Sequence, residues 1–356
     1  MSYQLPGRTG LPLPKPVKIL VTGGAGFIGS HTVVELAAAG YTPVIVDNFQ
    51  NSERSVLQGL ERILGGPVIC YEADCTDASE LEHIFQKEGN IGGVIHFAAD
   101  KAVGESVQHP LKYYRNNIGS TVAVLEAMLA HDVHNFVFSS SCTVYGEPEQ
   151  LPVTEQSPVQ PATSPYGNTK QVCEEIIRDV VGSGARLKAL SLRYFNPIGA
   201  HPSAEIGELP LGVPANLVPF ITQTAAGIRP QLSVFGHDYP TTDGTCIRDY
   251  IHVVDLARAH VRALEVLAGQ PAEHSYDFVN IGTGAGATVL QVITTFEQAT
   301  GVKVNYRLTD RRPGDVVQIF ASVEKSKRLL GWQTELSLEQ ALLDAWRWQQ
   351  RLDAGR

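Results

Sequence analysis

No apolar stretch in this 356-residue sequence reaches the 18 or so consecutive residues that a membrane span needs. Positive charge is also scarce: 28 Lys and Arg stand against 37 Asp and Glu, a formal net charge of −9. Nucleic-acid binders carry a basic patch or stripe, so a nucleic-acid partner is not expected. Five cysteines (Cys70, Cys75, Cys142, Cys173 and Cys246) form no C-x-x-C pair. An odd count with no secretory signal indicates reduced thiols in the cytosol. No metal site is expected. The nearest ligand pair, His131 and His134, ends an expected helix with no cysteine or acidic cluster beside it. Imidazoles suit the dipole there. The hydrolase signature G-x-S-x-G, internal repeats and low-complexity tracts are all missing. Residues 1–16, MSYQLPGRTGLPLPKP, lack the continuous apolar core of a signal peptide and read as a flexible tail.

What is present is the composition of a globular protein, 43% hydrophobic and 18% charged. Apolar, β-branched runs at 17–21, 43–46, 67–71, 93–97, 135–138 and 187–192 alternate with helical periodicity at 32–39, 78–88 and 121–131. That alternation predicts an α/β fold, a doubly wound parallel sheet of the Rossmann kind. Beyond Tyr194 the pattern turns irregular, with Pro, Gly and Asn concentrated as far as Leu217. A smaller C-terminal substrate-binding part is therefore expected over 197–356, after a nucleotide-binding part over 17–196, with interleaving left open. A last amphipathic helix is expected at 338–352.

The stretch ILVTGGAGFIGSHTVVEL, residues 19–36, admits two glycine spacings. Gly24, Gly26 and Gly29 fit G-x-G-x-x-G, whereas Gly23, Gly26 and Gly29 fit G-x-x-G-x-x-G. Either one, between an expected strand and an expected helix, turns backbone amides toward a pyrophosphate. The second strand ends in VIVDN, which puts Asp47 where a carboxylate bonds the adenosine ribose hydroxyls and repels a 2′-phosphate. NAD is therefore expected in preference to NADP.

The fifth strand runs into FSSSCTVYG, followed by SPYGNTKQVCEE. Tyr166 is the tyrosine with a lysine, Lys170, four residues later, and that spacing puts both on one helix face. Free tyrosine has a pKa of about 10 and is a poor base at neutral pH. An ammonium and a positive nicotinamide nearby both favour phenolate, and lowering the pKa by about 3 units takes about 4 kcal/mol. Tyr166 is then expected to remove a hydroxyl proton while hydride leaves the same carbon, with Ser141 bonding the same oxygen. Ser141 and Thr143 on their own are equally consistent with a strand-end cap.

T-G-x-x-G-x-x-G together with Y-x-x-x-K resembles the extended short-chain dehydrogenase/reductases. The motifs VTGGAGFIGSHTVVEL, HFAADKAVGESVQHPLKYY, FSSSCTVYGEP, RYFNPIGAHPS, VFGHDYPTTDGTCIRDYIHVVDLA and RRPGD are similar, in order and spacing, to the UDP-glucose (UDP-galactose) 4-epimerase family. That resemblance implies interconversion of UDP-galactose and UDP-glucose with tightly held NAD. Tyr166 would be the base, Lys170 its activator, and Ser141 a partner at the sugar 4-hydroxyl. Cofactor contacts would come from Gly23, Gly26, Phe27, Ile28, Gly29, Asp47, Asn48, Asp74, Cys75, Phe97, Ala98, Lys101, Asn116, Tyr166, Lys170 and Tyr194. Substrate contacts would come from Ser141, Thr143, Tyr166, Asn196, Asn216, Leu217, Phe235, Arg248, Tyr250, Arg312, Asp315 and Ile319. The plainer reading of Arg248 pairs it with Asp249. The resemblance further implies a homodimer joined through helices near 117–131 and 166–181, and a gate on the sugar C2 substituent at Ile319.

Two departures stand out. Cys142 replaces the alanine that usually follows the three serines, and FAADKA replaces the more usual glycine and apolar residue before Lys101. A sugar-nucleotide 4,6-dehydratase commonly carries an Asp-Glu pair after the threonine at the end of the fifth strand, where this chain reads Thr143-Val144, and that disfavours it. Epimerases of UDP-N-acetylhexosamines, UDP-pentoses or UDP-glucuronate share the mechanism and remain alternatives. A non-catalytic NAD-binding regulator would be expected to lose Tyr166 or Lys170.

Overall fold

The run KILVT forms strand β1 (Lys18–Thr22), in which Ile19 and Val21 face one apolar layer and Leu20 the other. Such two-sided burial makes parallel strands read as continuous apolar runs. In a computed structural model, which describes residues 17–312 and 315–354, β1 sits inside a seven-stranded parallel sheet. The others are β2 (Thr42–Asp47), β3 (Ile69–Glu72), β4 (Ile91–His96), β5 (Asn135–Ser139), β6 (Lys188–Tyr194) and a final strand Ser275–Ile281. The order is Ser275–Ile281, β6, β5, β4, β1, β2, β3, so the strand order reverses between β1 and β4. A crevice opens beyond the carboxyl ends of the strands at such a switch point. The expected tail, 1–16, lies outside the described residues.

Helix α1 (Phe27–Ala38) and the helix Val253–Gly269 cover one face, packing Val33, Leu36, Leu256 and Leu264 on Ile19, Val21 and Ile95. Helices Ala78–Glu88, Gly119–Ala130 and Pro165–Gly182 cover the other, with Phe85, Met128 and Ile177 against Leu20, Val94 and Phe136. α1 starts five residues before the expected position. Periodicity alone missed this because the glycine-rich loop itself supplies the first turn. A π-helical turn, Tyr114–Ile118, precedes Gly119–Ala130 and carries Asn116 and Asn117. Such turns are frequent at functional sites.

Beyond β6 short strands take over. Asn196–Ile198 pairs with Tyr250–His252, Ile247–Arg248 lies between Ala287–Thr288 and Gln318–Ile319, and Leu232–Phe235 pairs with Tyr306–Thr309. Helices Leu217–Ala225, Val289–Thr300 and Leu338–Ala354 close a separate core around Ile221, Phe296 and Leu342. The chain leaves the sheet after β6 and returns to it at Ser275–Ile281, so the two parts interleave in sequence.

Candidate active site

A cavity of about 470 Å³ opens at the switch point, bounded by the ends of β1, β2 and β4 and by the start of α1. Gly23 has φ +68°, and a Cβ there would lie 2.8 Å from the Ala98 amide nitrogen. A Cβ on Gly29 would lie 2.2 Å from the Gly23 carbonyl oxygen. Turn and helix–strand contact therefore demand glycine at the outer positions of G-x-x-G-x-x-G. Gly26 caps α1 with no side-chain acceptor, and no acidic residue occupies the first turn. The amides beside Phe27 and Ile28, with the helix dipole, make this end an anion site.

Asp47 at the end of β2 is buried. Its Oδ2 accepts from the Ala25 amide, and its Oδ1 accepts from the Phe49 amide and the Ser52 hydroxyl, each at 2.9 Å. The Asn48 amide donates to Asp74 Oδ2 at 3.1 Å. Burial pushes the Asp74 carboxyl up, but the Thr76 amide and hydroxyl and the Asn48 amide outweigh it and hold it below the usual range. Burial pushes the Cys75 thiol well up. Phe97, Ala98, Lys101, Asn116, Tyr166, Lys170 and Tyr194 line the same cavity.

Tyr166 and Lys170 project from the helix Pro165–Gly182, which Ser164 caps by accepting from the Gly167 amide at 3.1 Å, with Pro165 in the first turn. Both side chains are buried. Lys170 Nζ donates to the Ser139 carbonyl at 2.8 Å and lies 5.9 Å from the Tyr166 ring centroid. Burial lowers Lys170 to about 8, against the opposing pull of Cys173 and Glu174. Burial raises Tyr166 well above its ordinary value. Tyr194 adds to this and the Ser141 hydroxyl opposes it. Burial alone thus favours the neutral phenol, and the positive nicotinamide that the expectation also invoked would act in the opposite sense. Ser141 lies two residues past β5 and accepts from the Thr143 amide at 3.2 Å, whereas the buried Thr143 Oγ1 has no hydrogen-bond partner among the described residues. Behind them Ser140 Oγ donates to Glu174 Oε1 at 2.6 Å, and Arg193 Nε donates to the same carboxylate at 2.9 Å. The Arg193 guanidinium stacks 3.8 Å from the Phe278 ring.

The substrate residues assigned to the second half form another group. Backbone pairing brings Asn196 beside Tyr250, and Arg248 beside Ile319. Arg248 Nη2 and Arg312 Nη2 lie 3.8 and 2.8 Å from Asp315 Oδ1, and the Arg312 guanidinium lies 5.6 Å from the exposed Phe235 ring. Among the described residues the ion-pair partner of Arg248 is Asp315 rather than Asp249. The Asp249 carboxylate instead accepts from the Thr283, Gly284 and Ala321 amides and the Thr283 hydroxyl. Leu217 opens its helix. Ile319 is buried with Val144 and Phe195, and Cys142 packs against that cluster. Asn216, which donates to Glu208 at 2.6 Å, reaches the cavity of the glycine loop. Sequence reasoning missed Asn51, Asp100 and Glu208 in that wall. For Asp100 the signal was its odd place in FAADKA.

His131 and His134 are half-buried, His131 Nε2 lying 2.8 Å from Glu82 and its ring stacking on Phe85. The described residues contain no cluster of three or more potential metal ligands and no helix long and apolar enough to cross a membrane.

Comparison with known proteins bears on the same features. Residues 19–282 match the profile of the NAD dependent epimerase/dehydratase family. The UDP-glucose 4-epimerase of Bacillus subtilis (strain 168) is 51% identical over 331 residues, covering 93% of this chain and 96% of that protein. A Stenotrophomonas maltophila UDP-glucose-4-epimerase, solved with bound NAD and formylated UDP-arabinopyranose, superposes with a TM-score of 0.92 at 46% identity, covering 96% of this chain and all of that one. The Bifidobacterium longum UDP-glucose 4-epimerase, solved with NAD+ and UDP, gives 0.90 at 44% identity with the same coverage. With the sheet order, the glycine loop and the Tyr166–Lys170 pair all in agreement, the chain belongs to the NAD-dependent epimerase/dehydratase family, among its UDP-glucose 4-epimerases.

Proposed function

We propose that this chain interconverts UDP-galactose and UDP-glucose by oxidising the sugar at C4 and reducing it again from the opposite face. The observation that carries the reading is that Tyr166 and Lys170 share one cavity with the glycine loop and Asp47. The residues present fit NAD: the α1 amides suit its pyrophosphate, and the buried Asp47 carboxylate suits ribose hydroxyls. Bound there, NAD supplies a hydride acceptor and donor and a positively charged nicotinamide ring.

Tyr166 takes the proton of the 4-hydroxyl as the C4 hydrogen departs with its electron pair, leaving a 4-keto sugar. It returns that proton when the hydrogen comes back. Burial holds Tyr166 as a phenol, so it acts as a base only when positive charge is brought beside it. Lys170 contributes such charge up to a pH of about 8. Ser141 and the unpartnered Thr143 hydroxyl are assigned to the sugar oxygens. Arg248 and Arg312 offer planar forks to the diphosphate, within a UDP site completed by Asn196, Asn216, Leu217, Phe235, Tyr250 and Asp315. The hexose has to turn over inside the site, so affinity concentrates on the nucleotide. Ile319 limits room beside the C2 substituent.

The working form is a cytosolic homodimer. Val122 and Leu129, seven residues apart on the helix Gly119–Ala130, are exposed apolar side chains, which supports pairing through that face. All five cysteines are free, which supports a reducing compartment. The test is incubation with UDP-galactose without added cofactor and identification of the sugar formed. UDP-glucose is expected. A 6-deoxy-4-keto product, or unchanged substrate, defeats the reading.

A further inference from the structure

In the sheet, β2 and β4 flank β1, each one strand spacing of about 4.8 Å away. The loops leaving their carboxyl ends therefore stand on either side of the glycine turn. Four residues past β2 is Asn51, and four past β4 is Asp100, a carboxylate only 2% exposed. Asn51 Nδ2 donates to Asp100 Oδ1 at 3.0 Å, bridging the two loops. Asn116 Nδ2, on the π-helical turn, donates to the other oxygen at 3.0 Å.

Asp100 is itself fixed. Its amide donates to Asn117 Oδ1 at 2.8 Å, and its carbonyl accepts from Asn117 Nδ2 at 3.0 Å. Asn117 is anchored in turn on Thr169 Oγ1 at 3.0 Å, one residue from Lys170. Lys112 Nζ lies 3.4 Å from Asp100 Oδ1 and offsets its charge. An ionised carboxylate only accepts, so both asparagines have to turn their NH2 groups toward it. Their carbonyl oxygens are left as acceptors, the polarity that ribose hydroxyls require. Asn51, Asp100 and Asn116 all line the cavity.

We propose that Asp100 is a clasp, a positioning residue that ties the loop after β2 to the loop after β4 over the nucleotide crevice and sets how long NAD stays bound. The proposal rests on the reading that NAD occupies this cavity. Leaving the crevice requires breaking the Asn51–Asp100 bond, and that bond is charge-assisted.

The experiment loads the purified protein with labelled NAD, chases with excess unlabelled NAD, and follows exchange alongside the melting temperature. Asp100→Leu should exchange roughly 10- to 100-fold faster than the parent, the range for losing a hydrogen bond to a charged group. Asp100→Asn retains one acceptor oxygen and should partly restore retention. Asn51→Ala should accelerate exchange as well, and adding it to Asp100→Leu should change little further, because both remove the same bond. Exchange within twofold of the parent in Asp100→Leu would overturn the clasp. So would fully multiplicative effects in the double variant, or an acceleration that vanishes when variants are compared equally far below their melting temperatures. If Asp100→Leu does not fold, Asn51→Ala decides by the same twofold and tenfold limits. A parent that holds no NAD at all would instead overturn the cofactor reading, and the product assay would fail with it.

Discussion

Mild acid should loosen this fold well before its exposed carboxylates titrate. His31 and His260 each sit fully buried, bonding through Nδ1 to the carbonyl four residues earlier, Phe27 and Leu256, at 2.7 and 2.9 Å. A carbonyl only accepts, so Nδ1 carries the proton and Nε2 is a bare lone pair. Neither Nε2 has a partner among the described residues. Protonation would bury an N–H with nothing to receive it. His96, between Thr22 and Thr121, is equally enclosed and faces Lys170. Burial lowers His31 and His96 to about 3 and His260 to about 4. Their pKa values fall on folding, so the unfolded chain binds the extra protons and stability drops as pH falls below about 6.5. Between pH 7.5 and 5.5 each histidine costs about 1.4 kcal/mol, together about 4. Glu35 works the other way: burial first, then Asp255 and Glu335, raises it to about 7, so the folded state gains its proton in this window. That returns about 2 kcal/mol, leaving a net loss of about 2. For a chain of this length the melting temperature should fall by roughly 3 °C. Calorimetry or circular dichroism at the two pH values measures it, and His260→Asn should flatten the dependence. A melting temperature that stays level or rises toward pH 5.5 would refute the argument.

Other outcomes bear on the chemistry. Tyr166→Phe should lose about 10²–10⁴-fold in turnover while keeping fold and NAD, and activity within a few-fold of the parent would remove Tyr166 from the base role. Turnover should proceed without net NADH formation, and stoichiometric NADH in the medium would indicate a dehydrogenase instead. Ile319→Cys should narrow the kcat/KM ratio between UDP-glucose and UDP-N-acetylglucosamine by the ~1–3 kcal/mol that a methylene-sized gap is worth, and an unchanged ratio shows that Ile319 is not the gate. Glu174→Ala strands the buried Arg193 guanidinium and should cost about 3–5 kcal/mol of stability in denaturant titration, and a loss under 1 kcal/mol would mean the pair is not sequestered as described.

The strands that carry the nucleotide site were legible because two-sided burial writes itself as apolar runs, as in KILVT and NFVFS. The last strand, SYDFVNI, was not read. It is only partly buried over its first four residues, and its polar members answer to distant partners. Asn280 accepts from the Tyr145 hydroxyl, and Asp277 pairs with Lys325. Local spacing found Tyr166 and Lys170, since four residues on a helix define a face. Local spacing could not find Asp100, whose partners lie 49 and 16 residues away and meet only once the sheet is ordered. Nor could it show how far burial favours the neutral phenol at Tyr166, because that depends on how deeply the ring is enclosed.

The late return of Ser275–Ile281 to β6 gives the order of synthesis a physical meaning. When Tyr194 emerges from the ribosome, β6 has β5 on one side and a bare row of amides and carbonyls on the other. About 80 residues must still be translated before its neighbour exists, on the order of 4–16 s at roughly 5–20 residues per second. Through that interval KALSLRY is an open edge with an apolar face, the kind of template that recruits foreign strands. A nascent chain stalled in this window would depend on a chaperone rather than on its own sequence to stay single. Variants that slow translation there should aggregate without altering the finished protein at all.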